Sequence, residues 1–234
     1  MKILHLFDDL MNLYGEYANI LVLERCLTEL GHTVEIRKAK AGEALSFSQY
    51  DLIFMGAGTE RKQKLALEAL RPYAGDLKAA YEAGKILLFT GNSFPLLGKR
   101  ITDSNGKVYE GLELFPFEST EGSRRILGDC LGNCDLTTEP VVGFMNKCSK
   151  ITGVHTPLFH LSMGFGNDTD KGPEGLWEKN CFATHMTGPL LTKNPALLRH
   201  LLTLLTASPV TTLPLPHLEQ AYEVTRKALE ERKS

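Results

Sequence analysis

The residues that could do chemistry gather in a turn after one apolar run, Leu87-Leu88-Phe89-Thr90-Gly91-Asn92-Ser93-Phe94. A buried strand that breaks into a tight turn ahead of a short helix has the form of a nucleophile elbow, where strain lifts one side chain above the sheet edge. The apex here is Gly91, which has no side chain; Thr90 and Ser93 flank it. Neither hydroxyl lies in a Gly-x-Ser-x-Gly frame, which argues against a serine hydrolase. A neutral hydroxyl also needs an aligned base. His185 is the candidate, on an expected strand Cys181–Met186, with Thr187 on the same side of it by two-residue alternation. The weak catalytic candidates are therefore Ser93, or Thr90, with His185, whose plainer role is that of a hydrogen-bonded strand histidine.

Two further segments could serve a ligand. Gly56-Ala57-Gly58-Thr59 ends an apolar strand, and glycines there let backbone N–H groups approach a ligand oxygen. The run Asp8-Asp9-Leu10-Met11-Asn12-Leu13-Tyr14-Gly15-Glu16 follows the first strand; it is either a ligand loop or a helix start with its acids facing the dipole.

The elements that must position these residues follow from hydrophobic periodicity. Strands are expected at 3–7, 33–37, 51–55, 86–90 and 181–186, with helices at 16–30, 60–70, 75–83 and 195–207. Strands alternating with helices predict an α/β fold: an open, mostly parallel sheet with helices on both faces. Between Ile101 and Met163 short apolar runs at 111–117, 124–127, 141–145 and 151–154 read as short, partly antiparallel strands. Residues 1–208 form the domain. Residues 209–234 form a connector carrying Pro209, Pro214 and Pro216, then an amphipathic helix from His217 that packs on its own domain or contacts another subunit.

Bulk properties narrow the class. The chain has 234 residues, 43% hydrophobic and 23% charged, with a formal charge of −2, which suits a globular domain and favours neither nucleic acid nor an anionic membrane. No apolar run reaches spanning length, and the start of the chain does not read as a signal peptide. Five scattered cysteines (Cys26, Cys130, Cys134, Cys148 and Cys181) point to a reducing compartment, the cytoplasm. A zinc site from Cys130, Cys134 and Cys148 with His155 or His160 would lack the usual paired knuckles, so no metal and no cofactor is expected.

The segment Leu10–Ile20 resembles the N-terminal signature of class-I glutamine amidotransferases of the cobyric acid synthase type (CobB/CobQ-like), in particular the glutaminase subunits that act in peptidoglycan amidation. The likeness continues through Phe54–Gln63, Leu97–Thr102, Glu110–Leu112, Arg125–Asp129, Val142–Phe144, Gly164–Asn167 and Thr184–Pro195, and spans residues 2–206. It implies a flavodoxin-like fold and glutamine hydrolysis by a cysteine at the elbow, a histidine before a Gly-Pro pair, and backbone N–H groups that hold the oxyanion. Aligned without a gap from Gly98, the cysteine position is Gly91; with a one-residue insertion it is Thr90. The histidine position is Thr187. Arg125 matches an arginine of the substrate pocket, and read alone is a surface arginine. The pocket implied is Gly56, Gly58, Gly91, Asn92, Arg125 and Thr187.

The expectation is a non-catalytic protein of this lineage that binds a small carboxylate or amide ligand, or a partner. The alternatives are an active amidotransferase that uses shifted or partner-supplied residues beside a Mur-ligase-like synthetase, and a purely structural subunit. Peptidoglycan and cobalamin pathways both remain open.

Overall fold

The computed structural model describes residues 1–233. The chain begins with β1 (Lys2–Leu6), α1 (Ala18–Glu29), β2 (Glu35–Ala39), β3 (Leu52–Met55), α2 (Glu60–Leu70), α3 (Ala74–Glu82) and β4 (Ile86–Thr90). A run of strands follows: β5 (Arg100–Thr102), β6 (Val108–Glu110), β7 (Glu118–Asn133), β8 (Val141–Thr152), β9 (Phe159–Phe165), β10 (Asp170–Glu174), β11 (Leu176–Glu178), β12 (Cys181–Thr184) and β13 (Met186–Thr187). Three helices close the chain, α4 (Leu190–Lys193), α5 (Pro195–Thr206) and α6 (Pro216–Lys233).

The first sheet has the order β11-β12-β4-β3-β1-β2, parallel except for the edge strand β11. Its central strands β3 and β4 are continuous apolar runs because both faces are covered, whereas the edge strands β2 and β11 carry charged residues. Leu4, Leu6, Ile53, Met55, Leu87 and Phe89 pack in one core cluster with Leu67 and Leu70 of α2 and Leu77 of α3. The alternate residues Ile3, Leu52, Phe54, Ile86 and Leu88 pack in the other with Leu23 of α1 and Leu198 and Leu201 of α5. This is the open parallel sheet with helices on both faces that the alternating elements predict.

The second sheet is mainly antiparallel. It runs β10-β9-β7-β5-β6, with β8 also paired to β7 and β13 paired to β8. The sequence reading differs most here. The stretch 111–117 is not a strand: Leu112 N–H donates to Leu96 O at 2.8 Å and Phe115 N–H to Leu97 O at 3.1 Å, so its donors serve the segment after the elbow. The short runs expected at 124–127 and 141–145 are parts of two long strands, β7 and β8, and the run expected at 151–154 is strand only to Thr152, the end of β8.

The chain passes between the sheets more than once, at Gly175 between β10 and β11 and again after β12. Thr184 pairs with Thr90 in the first sheet, and Met186 pairs with Met145 in the second. His185 lies between them.

The C-terminal helix folds back on this assembly. Tyr222 and Leu229 are buried with Leu131 and Val142, and the Tyr222 hydroxyl donates to Pro140 O at 2.7 Å. Arg199 of α5 bridges Glu219 at 2.6 Å and also Glu139, and Arg232 pairs with Asp129. Tyr222→Ala removes a buried ring and leaves a carbonyl unpaired, so it should lower unfolding free energy by about 3 kcal/mol in urea titration.

Candidate functional site

The loops that follow β1, β3, β4 and β12 all emerge at the carboxyl edge of the first sheet, where ligands bind in open α/β sheets. Gly91 adopts φ +62°, the left-handed region, while Thr90 before it is extended at φ −117°. The strained turn therefore falls on Gly91, which makes it the apex; Thr90 belongs to the strand. Glycine relieves the strain that an L-residue would carry there. A Cβ at Gly91 would lie 2.5 Å from Ala57 Cβ and 2.9 Å from Thr187 Cγ2. Backbone conformation is that of an elbow, but the space above it is filled.

Asn92 fills more of it. Gly58 N–H donates to Asn92 Oδ1 at 2.8 Å, and Asn92 Nδ2 donates to Gly58 O at 2.8 Å. Gln63 Nε2 donates to Asn92 O at 2.5 Å. The glycine loop after β3 and the elbow after β4 are thus closed on each other by a two-point clasp. Its glycines are required by contact: a Cβ at Gly56 would lie 2.6 Å from Glu16 Cβ, and one at Gly58 would lie 2.6 Å from Met11 Sδ.

The loop after β1 supplies Glu16, fully buried beneath the turn. Its carboxyl accepts from Thr90 Oγ1 at 2.5 Å, Gly188 N–H at 2.8 Å and Asn19 Nδ2 at 3.1 Å. Burial pushes its pKa up to about 7, against the pull of these donors and of the Lys193 ammonium. Sequence reading placed Glu16 only as one of several acids at a helix start and gave it no role.

Ser93 and His185, the suggested dyad, are hydrogen-bonded to other groups. Ser93 Oγ is within 2.9 Å of Met55 O and 2.8 Å of Thr90 O, so its one proton is committed to backbone. His185 Nε2 lies 3.0 Å from Ser149 Oγ of β8. Its Nδ1 lies 3.5 Å from Glu174 Oε1 without forming a hydrogen bond, while the His185 N–H donates to that same oxygen at 2.8 Å. Burial, reinforced by the Lys147 charge, lowers the His185 pKa to about 4 despite Glu174. His185 is therefore a neutral, sequestered histidine over the working pH range. Ser149, His185 and Glu174 follow in the order of a hydrolase triad, yet all three are buried. Ser149 stands 36 residues from His185, and no local pattern links them.

Thr187 faces Gly91 with its hydroxyl buried and without a partner. Arg125 is drawn toward the cleft but is already engaged: Nη1 donates to Asn146 Oδ1 at 2.9 Å and Nη2 to Glu60 Oε1 at 2.5 Å. Asn146 in turn donates to the Tyr14 hydroxyl at 2.8 Å. A polar string from Tyr14 to Glu60 so crosses the mouth of the cleft. Of the expected pocket residues, Gly56, Gly58, Gly91, Asn92 and Thr187 come together, and Arg125 borders them at this rim. The five cysteines are free thiols, and among the described residues no group of His, Cys, Asp and Glu is placed to hold a metal.

Comparison with known proteins fits this geometry. Residues 2–195 match the model of the CobB/CobQ-like glutamine amidotransferase domain. The chain belongs to that family. A Staphylococcus aureus relative, the GatD subunit of lipid II isoglutaminyl synthase (glutamine-hydrolyzing), is 30% identical over 202 residues, covering 86% of this chain and 83% of its own. The Streptococcus pneumoniae protein of the same name is 28% identical over 206 residues, covering 87% and 79%. Among solved structures, a crystal structure of a glutamine amidotransferase has a TM-score of 0.57 at 16% identity, covering 87% of this chain and 98% of that one. Another, from Thermotoga maritima, has a TM-score of 0.55 at 8% identity, covering 100% and 91%. Those structures share the class-I amidotransferase fold with this chain. Among the described residues, no helix is long and apolar enough to cross a membrane.

Two measurements test the site. Gly91→Cys should lower unfolding free energy by about 2 kcal/mol, from left-handed strain and the contact with Ala57; adding Ala57→Gly should recover part of that loss in a double-mutant cycle. Glu16 keeps its proton in the folded state up to about pH 7, whereas in the unfolded chain it loses it near 4.5. Its contribution to stability is therefore full below pH 4.5 and lost as pH rises through 7. Glu16→Gln should gain on the wild type between pH 5 and 8, by up to about 3 kcal/mol in denaturant titrations at the two pH values.

Proposed function

We propose that this chain is a non-catalytic glutamine amidotransferase-like subunit that works by binding a partner, having lost glutaminase chemistry. One observation carries the reading: the Gly58 N–H, in the glycine loop whose donors could approach a ligand oxygen, is already bonded to Asn92 Oδ1, beside an apex that bears no nucleophile. Oxyanion stabilisation requires donors aimed at a position the reacting oxygen can occupy. Here that donor is satisfied within the protein. Thr187, at the position of the family histidine, has no basic nitrogen, and the sequestered His185 is engaged elsewhere.

The partner we infer is a Mur-ligase-like synthetase. Both curated relatives are named as subunits of a synthase that acts on lipid II, which supports a place in peptidoglycan amidation over cobalamin synthesis and hence a cytoplasmic setting. With Arg125 held by Glu60 and the mouth crossed by the Tyr14 string, the cleft offers little to a small carboxylate or amide ligand. A working enzyme with partner-supplied groups is the competing reading, favoured by the glutamine-hydrolyzing names of both relatives and by the retained φ of +62° at Gly91.

Ammonia release from glutamine, followed by a coupled dehydrogenase assay with the purified chain alone and beside the synthetase encoded nearest to it, should stay at the blank. Release that Ser93→Ala or His185→Ala abolishes would establish the competing reading. Co-purification of the two proteins, unchanged by either substitution, is the expected positive result.

A further inference from the structure

Away from the elbow, the ladder between β7 and β8 opens. β7 advances from Glu121 to Ile126 while β8 advances only from Ser149 to Lys147, so residues 122–125 bulge outward. The bulge frames a groove of about 660 Å³ lined by Arg124, Ile126, Leu127, Lys150 and Phe165 among others. It runs on into a smaller hollow of about 340 Å³ that shares Ile126, Lys150 and Phe165 and adds Lys147. These volumes fall in the range that holds small organic ligands.

The lining has two distinct parts. Its floor is apolar, and Leu127 is 57% exposed there, unlike the leucines of either core. Its walls carry Arg124, Arg125 and Lys150, with Asp170 at one edge. Among the described residues Arg124 and Lys150 have no hydrogen-bonding or ionic partner, whereas Arg100, Arg125, Arg199, Arg226 and Arg232 are each paired with a carboxylate. At the inner end the buried Lys147 ammonium is held by the carbonyls of Gly166 at 2.5 Å and Asn167 at 3.3 Å, with no carboxylate in ion-pair contact. A buried cation is costly, and the Glu174 and Asp168 charges offset that cost only without direct contact. Asp168 and Asp170 edge the hollow at the β9–β10 turn. The Arg125 guanidinium is committed to Glu60 and Asn146.

We propose that this groove binds a small anionic amphiphile, its carboxylate or phosphate held between Arg124 and Lys150 and its apolar body laid over Leu127, Ile126 and Phe165. The groove adjoins the cleft through Arg125, which lines both, but the inference does not rest on the loss of glutaminase chemistry.

The test uses the full chain and two fluorescent probes of similar shape: anilinonaphthalene sulfonate, which carries an anion, and uncharged phenylnaphthylamine. The sulfonate should bind saturably. Arg124→Glu with Lys150→Glu should weaken it about tenfold or more and leave the neutral probe unchanged. Leu127→Ser should weaken both probes. Lys78→Glu with Lys227→Glu, which alters net charge equally on distant exposed surface, should change neither, and melting temperatures confirm that all variants fold. Displacement of the sulfonate by decanoate and by decyl phosphate, compared side by side, tells a carboxylate from a phosphate preference. No saturable binding to the wild type, or equal weakening by the groove and distant charge reversals, would overturn the proposal.

Discussion

Three separate stretches of chain converge on the buried carboxyl of Glu16: the loop after β1, the last residue of β4 through Thr90, and the turn after β13 through Gly188. Asn19, which also donates to Glu16, accepts the Leu191 N–H at 2.8 Å and so ties in α4. Removing a carboxyl from water is costly, and the donors around it decide whether the cost is offset. Because Glu16 sits against Gly56, its placement also fixes how near the first loop can lie to the glycine loop. The position of every group at the sheet edge follows from this contact.

An active site is in part a set of groups left unsatisfied until substrate arrives. In this protein such groups have found internal partners. Gly58 has Asn92, Arg125 has Glu60, and Ser93 has two backbone carbonyls. The Thr187 hydroxyl, beside the glycine apex, and His185 Nδ1 are exceptions, buried and unmatched. The family's domain spans residues 2–195, and most polar groups around its apex are paired within the protein.

How much of this could be read from sequence depended on range. The central strands of the first sheet were plain because burial on both faces writes continuous apolar runs. The frame that placed Gly91 at the apex was legible too, and its φ excludes Thr90 from that role. The second sheet was obscure because β7 carries Gly, Ser and Arg where a strand signal is expected; its pairing with β8 and β9 holds it extended. The apolar stretch 111–117 misled for the opposite reason, since hydrophobicity there reports burial against the elbow segment. That Glu16 turns inward while Asp8 reaches Lys38 at the surface is decided by partners more than a hundred residues away in the case of Gly188.

The passage of the chain from one sheet to the other within Thr184, His185 and Met186 has a mechanical meaning. Two β layers in a single body usually slide or rock against each other through flexible links. Here the link is three residues long, extended, and pinned on both sides by ladder bonds, with a neutral imidazole wedged at the pivot. With the one-residue passage at Gly175, this link couples the two layers closely. Such stiffness belongs to the fold itself and does not depend on whether a reaction takes place beneath it.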